Sequence, residues 1–147
     1  MTIAMEPLLV PGVLDSLSAI ASYVMAAAKA AGLEKKPTYN LRLAVDEIAT
    51  NIIVYGYQGG DAERTIVVQT EMDDQALTVT LEDTAPKFDP TQQELPDADD
   101  FNQPLAERPI GGLGVYLAVQ GVDQFQYQRL GDKNRNIFVV YKSPPAA

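Results

Sequence analysis

Apolar residues recur along this chain with two different periods. Leu17, Ile20, Ala21, Val24, Met25 and Ala28 keep a helical spacing, and Gly32 stands where a left-handed residue closes a helix, so helix one is expected over about residues 14–31. A second arc of Leu41, Ala44, Val45, Ile48, Ile52 and Tyr55 opens at Pro37. Proline is tolerated in a first helical turn because its missing N–H would have no partner there. This helix is expected to run to about Tyr57, before Gly59-Gly60. The period then becomes two. Ile66, Val68, Thr70 and Met72, a turn at Asp73-Asp74-Gln75, and Leu77, Val79 and Leu81 predict a hairpin ending at Asp83. A second hairpin is expected from Gln124–Arg129 and Asn136–Lys142 around Gly131-Asp132, and a first strand over Ile3–Val10, ended by Pro11-Gly12. Gly111–Val122 predicts a short third helix.

The predicted order is therefore β, α, α, β, β, long loop, α, β, β. Hairpin-joined strands cannot make a purely parallel sheet, so the expected fold class is an α/β two-layer sandwich whose mixed, mainly antiparallel sheet carries helices on one face. The chain of 147 residues shows no internal repeat and reads as one domain over 1–143 with a tail at 144–147. The loop over about 84–110 holds five prolines (Pro86, Pro90, Pro96, Pro104, Pro109) and the acids Glu94, Asp97, Asp99 and Asp100. Loops longer than about 12–15 residues in compact domains are usually functional or disordered.

A hydrophobic share of 46% supplies a core at this length. With no Cys and no His, disulfides, thiolate nucleophiles and histidine-based triads are excluded, leaving carboxylates, a bound metal or backbone donors for any catalysis. A net charge of −9 disfavours nucleic acid and anionic membrane surfaces. The apolar stretch Ser16–Ala28 falls short of the ~20 residues that span a bilayer, and the first basic residue is Lys29, unlike a signal peptide. The cytoplasm is the expected location.

Three places carry candidate chemistry. Glu47 and Asn51 are four apart and share a helix face beside the apolar arc. A carboxylate and a carboxamide so placed can hold a hydrated divalent cation and accept a proton; the same spacing also suits an ordinary hydrogen-bonded surface pair. Asp83 closes a strand, where it could accept from a purine amino group or cap the turn that follows. Gly111-Gly112-Leu113-Gly114 opens a helix, so its N–H groups could face an anion or simply punctuate the chain. The acidic loop cluster reads as solvated surface, since it lacks calcium-loop spacing. Lys87 and Arg108 frame that loop.

In order along the chain, Glu47-x-x-x-Asn51, Asp83 with Phe88-Asp89-Pro90, and Gly111-Gly112-Leu113-Gly114 resemble the N, G1 and G2 boxes of the ATPase superfamily shared by gyrases, Hsp90 chaperones, histidine kinases and MutL. Leu41-Arg-Leu-Ala-Val-Asp-Glu-Ile-Ala-Thr-Asn51-Ile-Ile-Val-Tyr-Gly-Tyr57 and Glu107-Arg-Pro-Ile-Gly-Gly-Leu-Gly-Val-Tyr-Leu117 resemble its stand-alone bacterial branch, the anti-sigma factor serine/threonine kinases. The resemblance implies a Bergerat-type fold binding ATP and Mg²⁺. Carried over by residue, it makes Asn51 the Mg²⁺ ligand and Glu47 the general base. It places Asp83 on the adenine amino group, Ala85 and Phe88 in the nucleotide site, and Gly111, Gly112 and Gly114 at the phosphate-binding hinge of a lid formed by the long loop. Ala85 stands where the pattern has Gly, putting a methyl where close approach or positive φ would be expected. Tyr55 replaces a common His on the apolar arc, and helix one carries no base before Lys29 for gripping a partner.

The function this implies is an anti-sigma regulatory factor acting as a serine/threonine protein kinase on a STAS-type antagonist, with a sigma factor and a second copy of the chain as further partners. The alternative is a non-catalytic, nucleotide-sensing module that sequesters a regulatory partner; the Ala85 departure and the acidic lid keep it open.

Overall fold

The computed structural model describes residues 2–92, 115 and 119–142. β1 (Ile3–Gly12) leads through a 3-10 turn (Leu14–Ser16) into α1 (Leu17–Ala31), and α2 (Lys35–Asn51) passes directly into a π turn (Ile52–Gly56). β2 (Asp61–Met72) and β3 (Ala76–Asp83) make one hairpin, β4 (Gln124–Leu130) and β5 (Lys133–Tyr141) the other. The sheet runs β1-β2-β3-β5-β4, and every neighbouring pair is antiparallel. Both helices pack on one face of it, giving the two-layer sandwich. Among the described residues, no helix is long and apolar enough to cross a membrane.

The core lies between these layers. Ile66, Val68, Leu77, Val79, Leu81 and Phe138 on the inner face of the sheet are fully buried, as are Ile20, Val24, Leu41 and Ala44 on the helices. Truncating such a residue removes both its transfer free energy and its packing, about 3–5 kcal/mol for Phe138→Ala. Gly32 adopts φ +74° and donates to the carbonyls of Ala28 and Lys29, closing α1 as its sequence position predicts. Met25, expected on the buried face of that helix, is 41% exposed, and Ala27 and Ala31 are buried instead.

Several boundaries move for identifiable reasons. β1 continues to Gly12, so Pro11 lies inside a strand; β1 is an edge of the sheet, where proline's missing donor removes no interior ladder bond. α2 starts at Lys35, and the first helical bond runs from Thr38 N–H to Glu34 O, leaving Pro37 within the unpaired first turn. β5 begins at Lys133 rather than Asn136, across a two-residue loop whose first member, Gly131, has φ +61°.

The end of α2 differs most. Tyr57 N–H bonds to Ile52 O at 2.8 Å, five residues back, so the last turn is wider than an α turn. That change of phase brings Ile53 and Tyr57 into the core, whereas Tyr55, expected on the apolar arc, is 50% exposed. Of the expected third helix, Val115, Val119 and Gln120 are described and helical, and Val115 is buried in the core. Gly121 and Val122, expected to end this helix, form a turn beyond it, whereas residues 111–114 and 116–118, the acidic cluster and Arg108 of the proposed lid, and the tail lie outside the described residues.

Candidate functional site

A cavity open to solvent lies between the end of α2 and the ends of β3 and β5. Asn51, Tyr55 and Gly56 line it from the helix side, Asp83, Ala85 and Phe88 from the end of β3, and Asn134 and Asn136 from β5. Its polarity follows from strand alternation. Leu77, Val79 and Leu81 occupy the inner face of β3, and the same two-residue step carries Asp83 to that face. On β5 the step runs from Phe138 back through Asn136 to Asn134, which is paired directly with Asp83. On β3 and β5 the inner face is thus apolar until it reaches this end, where three polar side chains follow.

Asp83 is 2% exposed. Its Oδ1 accepts from the Ala85 N–H at 2.9 Å and from Asn134 Nδ2 at 2.9 Å, whereas its buried Oδ2 has no partner among the described residues. Burial pushes the carboxyl above the ordinary aspartate range; the Asn134 and Ala85 hydrogen bonds and the Arg129 charge pull it back, and Glu82 adds to the rise. The Oδ1 atom of buried Asn136 also lacks a partner. A buried acceptor left unpaired costs about 1–3 kcal/mol. A ligand presenting N–H donors removes that penalty, and the exocyclic amino group of adenine has two, so the donor set fits the group.

Asn134 orders this wall. Its Nδ2 also lies 3.0 Å from Ala85 O and 3.2 Å from Pro86 O. Its Oδ1 accepts from Arg129 Nη1 at 3.2 Å, the Phe88 N–H at 3.4 Å and the Tyr127 hydroxyl. Arg129 Nη1 donates to Ala85 O at 3.0 Å as well. The chain after Asp83 is therefore held by side chains where the β ladder has ended.

Of the residues expected from sequence, Asn51, Asp83, Ala85 and Phe88 converge on the cavity. Glu47, half-buried one turn before Asn51, is not among its lining residues. Gly111, Gly112 and Gly114 lie outside the described residues. Ala85 does not have the positive φ that would favour glycine. Room for its methyl comes from Gly56, since a Cβ built there would stand 2.8 Å from the Ala85 Cβ. Asn134, Asn136, Arg129 and Tyr57 were not singled out from sequence. The two asparagines could have been found by extending the inward alternation of Phe138 and Val140 backwards along β5.

The family described as histidine kinase-like ATPase domain matches residues 10–142. Among solved structures, the chain is similar to the RsbU and RsbW domains of Rv1364c from Mycobacterium tuberculosis, with a TM-score of 0.64 and 14% identity over 97% of this chain. It spans 34% of that longer chain, and at such identity the likeness is one of fold. No curated protein matches the chain. The family match runs from β1 to the end of the closing hairpin and takes in every described element that lines the cavity, and the chain belongs to the histidine kinase-like ATPase domain family.

Proposed function

We propose that this chain binds Mg-ATP in the cavity and transfers the γ-phosphoryl group to a seryl or threonyl hydroxyl of a STAS-type antagonist protein. ATP binding comes with the family. The observation that carries the assignment of the adenine end is the buried, unpartnered Oδ2 of Asp83 at the cavity wall. In this reading Asp83 accepts from the adenine amino group, Ala85 and Phe88 bound the base, and Asn51, buried on the last turn of α2, ligates Mg²⁺. When bound, the ion neutralises phosphate charge, and phosphoryl transfer asks little more of a protein than positioning. Gly111, Gly112 and Gly114 are assigned to the phosphates by motif alone. Glu47 is the general base: as the acceptor oxygen bonds to phosphorus and the bond to ADP breaks, its carboxylate takes the hydroxyl proton. A sigma factor and a second copy of the chain complete the proposed partners, in the cytoplasm.

The second reading, a nucleotide-sensing module that sequesters a partner without transferring phosphate, draws on the place of Glu47 outside the cavity lining. Incubating the protein with Mg-ATP labelled at the γ-phosphate and purified STAS domains separates the two. Label on the partner is the expected result, and tight ATP binding without transfer to any of them selects the sequestering module.

A further inference from the structure

The ladder between β2 and β3 ends at Val67 and Glu82, and that between β3 and β5 ends at Asp83 and Asn134. Thr84 is the first residue beyond both, yet each of its backbone polar groups is held. Its N–H donates to the Tyr57 hydroxyl at 2.9 Å, and its carbonyl accepts from Arg64 Nη1 at 3.2 Å. The Tyr57 hydroxyl in turn donates to Thr65 O at 2.9 Å. A single acceptor would satisfy a buried phenol, so the bond from Thr84 is an additional tie between the end of α2 and the end of β3.

The ring of Tyr57 has little freedom to move. It is 4% exposed, the Arg64 guanidinium lies 5.7 Å from its centroid, and a Cβ built on Gly12 would stand 2.4 Å from its Cδ2. The ring is wedged between the end of β1 and a cationic cover, and its hydroxyl reaches a residue flanked on both sides by the cavity-lining Asp83 and Ala85.

We infer that Tyr57 is a positioning residue of the nucleotide site, which through Thr84 fixes the orientation of Asp83 and so the discrimination of adenine from guanine. The inference rests on the adenine reading of Asp83 proposed above. Tyr57 touches no ligand in this account; it acts by keeping the Asp83–Ala85 turn from rotating, with Arg64 holding the carbonyl of the same residue.

Tyr57→Phe removes only the hydroxyl and keeps the ring against Gly12 and Arg64. In the unliganded protein, amide exchange at Thr84 and Ala85 is expected to quicken about tenfold or more relative to Leu81, because the Ala85 N–H bond to Asp83 reports the turn. Mg-ATP affinity is expected to fall about tenfold with Mg-GTP affinity little changed, so their ratio contracts. Arg64→Met, which retains an apolar cover, is expected to reproduce a smaller contraction and serves if Tyr57→Phe does not fold. Exchange that rises equally at Thr84, Ala85 and Leu81, or an unchanged ATP-to-GTP ratio despite local loosening, overturns the inference while leaving ATP binding standing. Local loosening in a protein whose wild type binds no adenine nucleotide removes the discrimination role together with the adenine reading, and leaves the tie at Thr84 as a structural one.

Discussion

Gly56 and Ala85 share the space of one methyl group: a Cβ added to Gly56 would lie 2.8 Å from the Cβ that Ala85 already has. Gly56 belongs to the π turn that ends the α2 segment, and Ala85 to the turn after β3. The alanine that departs from the family pattern is accommodated by a glycine from another element, with no strained backbone at Ala85. Gly56→Ala alone should destabilise by about 1–3 kcal/mol through overpacking. Combining it with Ala85→Gly should recover most of that loss, a coupling that urea unfolding of the four proteins in the cycle will measure. Strict additivity would mean that the two residues do not compete for space.

Asp83→Asn should exchange the base preference of the site. Asn134 Nδ2 and the Ala85 N–H both donate to Oδ1, so they will hold the new carbonyl oxygen there and place the amide NH₂ at the Oδ2 position. That position then donates, repelling an adenine amino group and suiting the O6 of guanine. Calorimetry should find Mg-ATP affinity lowered by more than about tenfold and Mg-GTP affinity raised. Parallel losses for both nucleotides would mark Asp83 as structural.

The same substitution has a pH consequence. Burial raises the native pKa of Asp83 above that of the unfolded chain, so between those values the native state binds more protons, and stability falls as pH rises through that window. Unfolding free energies of the unliganded protein should therefore decline less steeply in Asp83→Asn above the ordinary aspartate range. At neutral pH the variant should be at least as stable as wild type. Identical pH profiles would show that the Asp83 carboxyl is not the group responsible.

Asn134 should matter more to the fold than its sequence position suggests. Asn134→Ala leaves the Tyr127 hydroxyl without this acceptor and Asp83 Oδ1 with one donor fewer, which is expected to cost about 1–3 kcal/mol. Asn134→Asp sets a second carboxylate opposite Asp83, and its destabilisation should grow as pH rises and both groups ionise. Denaturation at pH 5 and pH 8 checks the sign: a larger effect at the lower pH would contradict the assignment of charge repulsion.

Glu47→Gln keeps shape and removes the proton acceptor. Under the kinase reading, Mg-ATP affinity should stay within a few fold while transfer to a STAS partner drops ~10²- to 10⁴-fold. Single-turnover labelling of the partner measures this. A variant that phosphorylates at the wild-type rate would end the role of Glu47 as base.

The hydrophobic periods alone determined both long helices, the two hairpins and the layered, mainly antiparallel architecture, because alternation and the 3.6 spacing are local consequences of where Cβ atoms point. They also determined that Glu47 and Asn51 would share one face of the second helix and that Asp83 would close a strand. The tertiary structure decided what surrounds them. Asn134 becomes a hydrogen-bond partner of Asp83, 51 residues away along the chain, only because β3 and β5 pair in one register, and a pattern read along one segment carries no register between segments. The π turn depends on five-residue hydrogen bonding that no periodicity of side chains announces; it moved Tyr55 outward and put Tyr57 beside Thr84. The room for Ala85 is likewise a property of two elements together. Which polar groups are buried, and which of those lack a partner, exists only once the layers have closed.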